Sequence, residues 1–312
     1  MSRELVRGTA SEVRLFARGW RWGRRQLVPR SAEPHTPGRG RKEFPTRWAR
    51  SAPAIEIRDA IQAFGLSPLL RFEVEPHVAG LDGLRGVRPP VIFVANHSSH
   101  LDTALILCTL PAPWRRRTAL AAAADYFFDT WWRATGSAIV FNTFPIERRG
   151  GQLATTPGSV LEDGWNVVIY PEGTRSPDGW TNRFRLGAAY LAVQHGVPVV
   201  PIGLRGSYAA MPRGRGWPVP GRPPVRVRYG RPLLPGADEE PRAFGKRVSA
   251  AVAELLDEDA STWWEARRRA ADGTTPSPAG PQVAQWRRIW TQTAPPEVPR
   301  RRRAWAKKRR LD

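Results

Sequence analysis

The chain has 312 residues and a formal net charge of +21, from 49 Lys and Arg residues against 28 Asp and Glu residues. This length can bury a full core in one domain, and the single cysteine excludes an internal disulfide or a cysteine-based metal cluster. No run approaches the roughly 20 apolar residues that span a bilayer, and arginines interrupt any N-terminal signal sequence, so we expect a cytoplasmic protein.

The basic charge is concentrated at the two ends of the chain. Residues 1–50 hold 13 basic against 4 acidic residues, and residues 300–312 hold 8 against 1. We expect a basic amphipathic helix within residues 11–28, followed by a flexible linker. Membrane phospholipid and nucleic acid are both suitable anionic partners, and solvated, disordered ends are an open alternative. Five tryptophans accompany the terminal arginines: Trp20, Trp22, Trp286, Trp290 and Trp305.

From residue 51 onward, helical and strand-like patterns alternate along the chain. Helices are predicted over 54–70, 101–110, 152–162, 184–195 and 239–271. Strands are predicted over 71–75, 91–95, 119–123, 137–141, 166–170, 199–204 and 225–229. This alternation predicts an α/β fold, in which helices flank a central sheet that is mostly parallel or mixed and the active site lies at strand ends. The predicted parts are a basic, partly disordered or amphipathic extension (1–50), an α/β domain with a C-terminal helix (51–271), and a hinge with a basic Trp/Arg-rich tail (272–312).

The segment VIFVANHSSHLDTALIL (91–107) carries the first candidate site residues. An apolar strand delivers Asn96 and His97 to its end, and Asp102 follows five positions after the histidine. On one helix these two side chains would diverge by about 140°, so they meet only if His97 lies on the loop. A carboxylate on one imidazole nitrogen fixes the tautomer, so that the other nitrogen can accept a proton. A surface His–Asp pair is the alternative that these residues alone leave open.

The segment NVVIYPEGTRS (166–176) is a second apolar strand that ends in polar residues. Gly173 permits close approach of backbone amides to a ligand, Thr174 offers a hydroxyl, and Arg175 can bind an oxyanion through two hydrogen bonds. Glu172 can orient that arginine or accept a hydrogen bond from a hydroxyl. These groups suit a ligand with both a phosphate and an alcohol, although an ordinary turn with a surface ion pair has the same composition.

Two further segments complete a pattern that resembles the PlsC-like glycerolipid acyltransferase family. The family's NHxxxxD motif matches residues 96–102, and its FPEGTRS motif matches residues 170–176, with Tyr170 in place of the usual Phe. The sequence FPIER (144–148) matches its second motif and VPVVPI (197–202) its fourth. The resemblance covers about residues 55–235 and implies a glycerol-3-phosphate acyltransferase-like fold for the α/β domain.

The resemblance implies a 1-acyl-sn-glycerol-3-phosphate O-acyltransferase that produces phosphatidic acid. The acyl donor would be acyl-CoA or an acyl carrier protein thioester, the acceptor a lysophospholipid, and no other cofactor and no metal would be bound. His97 would act as general base and Asp102 would orient it. The acceptor phosphate would be held by four residues: Arg148, Gly173, Thr174 and Arg175. Glu172 would orient the arginine or the glycerol. The enzyme would associate peripherally with the anionic inner face of the cell membrane.

Two alternatives remain open at this stage. The same chemistry could act on another lysolipid or a hydroxylated lipid, because Arg148 and Arg175 would select only a phosphate. A catalytically inactive core with nucleic-acid-binding tails is disfavoured because no RNA- or DNA-binding signature is recognisable, and no specific nucleic acid is expected as a partner. The chain has no GxSxG nucleophile motif, P-loop or dinucleotide-binding fingerprint. Acyl chain length, donor type and oligomeric state do not follow from the sequence.

Overall fold

The structure, a computed structural model, describes residues 46–123, 131–146 and 156–294. Several predicted features fall outside these ranges. They are the amphipathic helix over 11–28, the start of the helix over 152–162, Arg148, and the tryptophans Trp20, Trp22 and Trp305.

The described strands form one seven-stranded sheet. They are β1 (Glu75–Ala79), β2 (Ile92–Ala95), β3 (Thr118–Ala123), β4 (Thr143–Ile146), β5 (Asn166–Ile169), β6 (Val199–Arg205) and β7 (Pro224–Tyr229). Their order across the sheet is β1-β7-β6-β2-β5-β3-β4. Strands β2 to β6 are parallel to one another, whereas β7 is antiparallel to β6 and parallel to β1. The mixed, mostly parallel sheet confirms the predicted fold class.

Helices cover both faces of this sheet. They are α1 (Ala52–Ala60), α2 (Ser67–Glu73), α3 (Leu101–Thr109), α4 (Ala112–Arg116), α5 (Trp131–Phe141), α6 (Pro157–Glu162), α7 (Gly187–His195), α8 (Ser207–Ala210), α9 (Pro241–Ala260), α10 (Trp263–Ala271) and α11 (Gln285–Thr293), with a π-helical stretch, Ile61–Leu66, between α1 and α2. Phe93 packs with α3 on one face, while Ile92 and Val94 pack with α7 and α9 on the other. This alternation is the two-residue period of a strand buried on both faces. In the described ranges, no helix is long and apolar enough to cross a membrane.

The predicted strand over 137–141 is wrong, because these residues form the last turns of α5. A short apolar run fits a buried helix as well as a buried strand, so its periodicity does not decide between them. The helix ends at Phe141, and Asn142, which follows it, has a left-handed φ of 52°. Asparagine adopts this conformation more easily than most residues, and β4 begins immediately after it.

Two other predicted boundaries are also wrong. Residues 71–73 continue α2 instead of starting a strand, and β1 begins at Glu75. The predicted helix over 239–271 is two helices, because Thr262 caps a new helix by accepting a hydrogen bond from the Glu265 N–H at 3.3 Å. Threonine side chains favour this N-cap role over a position inside a helix.

Candidate active site

His97 lies on the loop between β2 and α3, at the C-terminal end of the parallel strands. Its Nδ1 is 2.9 Å from Oδ2 of Asp102, whose side chain is completely buried in the first turn of α3. The same oxygen accepts hydrogen bonds from the backbone N–H groups of Ser98 and Ser99, at 2.7 and 2.8 Å. The structure therefore brings together the two residues that the sequence spacing paired. The bond to Nδ1 leaves Nε2 as the nitrogen that can accept a proton.

Asn96 anchors the start of this loop to the neighbouring strand. Its Nδ2 donates to the carbonyl oxygen of Leu204 at 2.9 Å, and its Oδ1 accepts from the Leu204 N–H at 2.8 Å. Leu204 lies on β6, which pairs with β2, so the side chain extends the hydrogen-bond ladder past the end of β2. Asn96 thus shapes the loop that carries His97, a role that the sequence alone did not reveal.

The ring of Tyr170 packs against the face of the His97 imidazole. The two rings are stacked, with centroids 4.0 Å apart and planes inclined by 16°. The Tyr170 hydroxyl is 3.1 Å from Oγ1 of Thr103, on α3. Burial raises the pKa of Tyr170 well above 10, so the hydroxyl remains protonated at neutral pH. The ring therefore limits the rotation of His97, and its hydroxyl holds the ring against α3.

Glu172 ties the YPEGTRS segment to the loop that carries His97. Its Oε1 accepts a hydrogen bond from the backbone N–H of His97 at 2.7 Å, and its Oε2 accepts one from the N–H of Asn182 at 2.8 Å. Burial is the main reason that the pKa of Glu172 rises to about 7, although these hydrogen bonds oppose it. In the structure the carboxyl group holds two backbone segments together. Its orientation of an arginine or of the substrate glycerol stays a prediction.

The glycine turn after β5 lies beside this loop, because β5 pairs directly with β2. The N–H of Ser176 donates to the carbonyl oxygen of His97 at 2.8 Å. Gly173 has a left-handed φ of 73°, and a Cβ placed there would lie 3.1 Å from the guanidinium carbon of Arg185. Thr174 in the same turn is exposed. Arg185 therefore lies against the glycine, and sequence analysis missed it because it follows the motif by nine residues.

His100, the second histidine of the first motif, lies partly buried and close to positive charge. Burial, the guanidinium of Arg175 and the imidazole of His97 together lower the pKa of His100 to about 4. His100 is therefore uncharged at neutral pH and is a weak proton acceptor. Its pKa also indicates that Arg175 contributes positive charge close to the histidine loop.

These residues lie together at the C-terminal ends of the parallel strands, and their side chains indicate which chemistry the site can perform. A histidine oriented by a buried carboxylate can take a proton from a hydroxyl. Arg175 and Arg185 belong to the segment around the glycine turn and can bind an oxyanion. Arg148, the other arginine predicted to bind the phosphate, lies outside the described residues. The described groups suit an alcohol whose neighbouring substituent is anionic.

Comparison with known proteins shows which proteins this chain is similar to. Residues 75–205 match the family model described as Acyltransferase. A chloroplastic 1-acyl-sn-glycerol-3-phosphate acyltransferase of Brassica napus is 30% identical over 150 residues, which are 44% of this chain and 39% of that protein. The human 1-acyl-sn-glycerol-3-phosphate acyltransferase beta is 35% identical over 141 residues, 43% of this chain and 46% of that protein.

A solved structure extends the similarity from sequence to fold. The crystal structure of PlsC, the 1-acyl-sn-glycerophosphate acyltransferase of Thermotoga maritima, has a TM-score of 0.51 and 25% sequence identity to this chain. The match covers 66% of this chain and 84% of that protein. Against the curated relatives named above, the chain spans less than half of their length. Residues 75–205 are thus similar in sequence to acyltransferases, and the chain is similar in fold to PlsC of Thermotoga maritima.

Proposed function

We propose that this protein transfers a fatty acyl group from an acyl thioester to the hydroxyl of 1-acyl-sn-glycerol-3-phosphate, producing phosphatidic acid. The single observation that carries the proposal is the 2.9 Å pair between His97 Nδ1 and the buried Asp102 Oδ2. This pair provides an oriented base at a strand end, beside an arginine-containing turn. The named relatives that act on 1-acyl-sn-glycerol-3-phosphate support this choice of acceptor.

In the proposed mechanism, Nε2 of His97 takes the proton of the acceptor hydroxyl as its oxygen attacks the thioester carbonyl carbon. Asp102 holds the imidazole and stabilises its charged form. The C–S bond then breaks, and the thiolate receives the proton from Nε2 to leave as a thiol. The acyl group passes directly from sulfur to oxygen, so no acyl-enzyme forms and no bound cofactor is required. The thioester of coenzyme A or an acyl carrier protein serves as co-substrate.

The acceptor phosphate would be bound by the cations around the glycine turn. Arg175 and Arg148 come from the motifs, and the position of Arg185 against Gly173 adds a third guanidinium. A phosphate held there would place the neighbouring glycerol hydroxyl within reach of His97. In this proposal Arg185→Gln raises the KM for the acceptor more than the KM for the donor. Arg183→Gln, two positions away and exposed, is the matched control.

The decisive experiment measures acyl transfer from an acyl-CoA to 1-acyl-sn-glycerol-3-phosphate by the purified protein. His97→Ala should abolish turnover while the protein stays folded, and His100→Asn should retain it, because His100 is a poor base. Full activity in the His97 variant would overturn the mechanism. A panel of lysolipid acceptors and of CoA and carrier-protein donors tests the substrate, and failure to acylate 1-acyl-sn-glycerol-3-phosphate would favour another acceptor.

The proposed substrates are membrane lipids, so we also propose that the enzyme works while bound peripherally to an anionic membrane. The net charge of +21 supports this location, since basic residues near an anionic surface contribute about 1 kcal/mol each. Cosedimentation with anionic vesicles should weaken as salt concentration rises, because salt screens this attraction. Binding that is insensitive to salt would contradict the electrostatic part of the proposal.

A further inference from the structure

Helix α11 lies beyond the family match and contacts the candidate active site through its inner face. Nε of Arg288 donates to Oδ2 of Asp178 at 2.5 Å, and Asp178 is only 6% exposed. The other two guanidinium nitrogens donate to the carbonyl oxygens of Pro281 and Ala279, at 2.8 and 2.9 Å. Burial raises the pKa of Asp178, but its hydrogen bonds, first that from Arg288, outweigh burial and lower it. Arg288 and Asp178 are therefore a charged pair with a well-defined geometry.

A chain of hydrogen bonds continues from this pair to the catalytic loop. Oγ of Ser176 donates to Oδ1 of Asp178 at 3.2 Å, and the backbone N–H of Ser176 donates to the carbonyl oxygen of His97 at 2.8 Å. Ser176 is completely buried. The position of Arg288 is thus transmitted to His97 through two intermediate residues, without any contact between α11 and the imidazole.

The segment that precedes α11 also packs on the loop that follows β5. Nε1 of Trp180 donates to the carbonyl oxygen of Arg288 at 3.2 Å, and the N–H of Thr181 donates to that of Pro278 at 3.0 Å. A Cβ at Gly280 would lie 2.2 Å from the Trp180 ring, so only glycine fits there. Gln292 of α11 lines one cavity of about 340 Å³ together with Asn96 and Ser98, the two residues that flank His97. Several independent contacts therefore fix α11 to the loop.

The outer face of α11 has a different composition. Trp286 and Trp290 are one helical turn apart and are 70% and 64% exposed. Arg287 is exposed beside them, whereas Arg288, Ile289 and Gln292 form the partly buried side. Two large aromatic side chains on one exposed helix face, with an arginine next to them, are typical of a helix that lies in a membrane interface.

The basic charge that follows α11 in the sequence indicates which kind of partner fits the exposed face of this helix. Only six residues separate the end of α11 from a segment, 300–312, that has 8 basic residues and 1 acidic residue. A bilayer with anionic headgroups complements this charge, and its interfacial layer accepts tryptophan rings at the same level. A neutral bilayer would accommodate the tryptophan rings but would not attract the basic residues.

We propose that α11 docks on an anionic phospholipid bilayer through Trp286, Trp290 and Arg287, and that Arg288 on its opposite face positions the His97 loop. Helix α11 is thus a membrane-docking helix that also acts as a support for the active site. Arg288 is a positioning residue, since it reaches His97 only through Asp178 and Ser176. The positioning role of Arg288 rests on the proposed acyl transfer. The docking of α11 does not, because bilayer binding can be measured without turnover.

Cosedimentation of the full chain with vesicles tests the docking face. Trp286→Ser/Trp290→Ser should bind vesicles containing phosphatidylglycerol much more weakly than the parent. Trp131→Ser/Trp132→Ser, a pair on α5 that is 70% and 58% exposed, is the matched control and should bind like the parent. Unchanged binding of the α11 variant would overturn the docking face. Equal losses in both variants would overturn its assignment to α11.

Steady-state kinetics with detergent-dispersed substrate test the positioning role without a bilayer. Arg288→Gln should lower kcat by roughly tenfold with little change in KM, since a small misplacement of a catalytic group is costly. Arg288→Lys should recover part of this loss because its ammonium can still pair with Asp178. Asp178→Asn should resemble Arg288→Gln, and the double variant should be no worse than either. Parent-like kcat in Arg288→Gln, or no recovery with lysine, would overturn the role.

The two proposals fail in different ways. If the parent binds anionic vesicles through α11 but transfers no acyl group to any lysolipid, the proposed function fails and the docking face stands. If the parent transfers acyl groups and the Arg288 variants keep the parent kcat, the proposed function stands and the positioning role fails.

Discussion

The carboxyl group of Glu172 accepts a 2.7 Å hydrogen bond from the backbone N–H of His97, which lies 75 positions earlier in the chain. Because its other oxygen binds the N–H of Asn182, the side chain crosslinks the loops that follow β2 and β5. The acidic residue of the YPEGTRS motif therefore keeps the histidine in place through the backbone. Because burial raises the pKa of Glu172, the stability that this link contributes depends on pH.

Glu172→Gln should change the pH dependence of stability. The pKa of Glu172 rises from 4.5 in the unfolded chain to about 7 in the folded one. The folded state then binds more protons at this group, so the contribution of Glu172 to stability is greatest below pH 4.5 and is lost as the pH rises through about 7. Between about pH 5 and 8, the unfolding free energy of the parent should fall relative to that of the variant by on the order of 2 kcal/mol. Denaturant unfolding measures this difference, and parallel pH profiles would contradict it.

Asp102→Asn should preserve the fold but remove most activity. An asparagine oxygen in the place of Oδ2 can still accept the hydrogen bonds from the backbone and from Nδ1 of His97, but it lacks the negative charge that stabilises the protonated imidazole. We expect kcat to fall roughly a thousandfold with little change in KM. Asp82→Asn, at an exposed position, is the control for the loss of a carboxylate. Retention of more than about a tenth of the parent kcat would argue against an orienting role.

Asn96→Asp should destabilise the protein more than its small change in structure suggests. The Nδ2 that donates to the Leu204 carbonyl would be replaced by an oxygen, so two acceptors would face each other in a buried site. The cost should be about 2 kcal/mol, seen as a lower melting temperature. Asn96→Ala should also destabilise the fold, because the N–H and carbonyl of Leu204 lose their partners. A melting temperature equal to that of the parent would show that this pairing is dispensable.

Tyr170→Phe and Tyr170→Ala should separate the ring from its hydroxyl. Phenylalanine retains the stack on His97 and loses only the contact with Thr103, so activity should stay within about threefold of the parent. Alanine removes the stack and should lower kcat by roughly tenfold, since the imidazole gains rotational freedom. Equal activity in the two variants would indicate that the ring does not position His97.

Gly173→Ala should impair acceptor binding beyond its effect on stability. A left-handed φ of 73° strains any other residue, and the new methyl group would meet Arg185. Gly164→Ala is the matched control, because Gly164 has a φ of 77° and its nearest contact would be an ordinary 3.9 Å. Both variants should lose about 1 kcal/mol of stability. Only Gly173→Ala should raise the KM for the acceptor, and equal KM values would contradict phosphate binding at this turn.

Local patterns were sufficient to predict most of the fold. The apolar strands β2, β5 and β6 were recognisable because a buried strand needs a short continuous apolar run between turn residues. The same rule failed over 137–141, where the end of α5 is also a short apolar run. That choice depended on what the segment packs against, and Asn142 gave only a local indication of where the helix ends.

The sequence by itself determined the α/β class and the pairing of His97 with Asp102, because both follow from conformation within a few neighbouring residues. Only the tertiary structure decided that Glu172 holds the backbone of His97, that Arg185 lies against Gly173, and that Arg288 reaches Asp178 from 110 positions away. The physical reason is that periodicity reports local backbone conformation and burial. Contacts between distant segments depend on the register and packing of the whole sheet, which no single segment encodes.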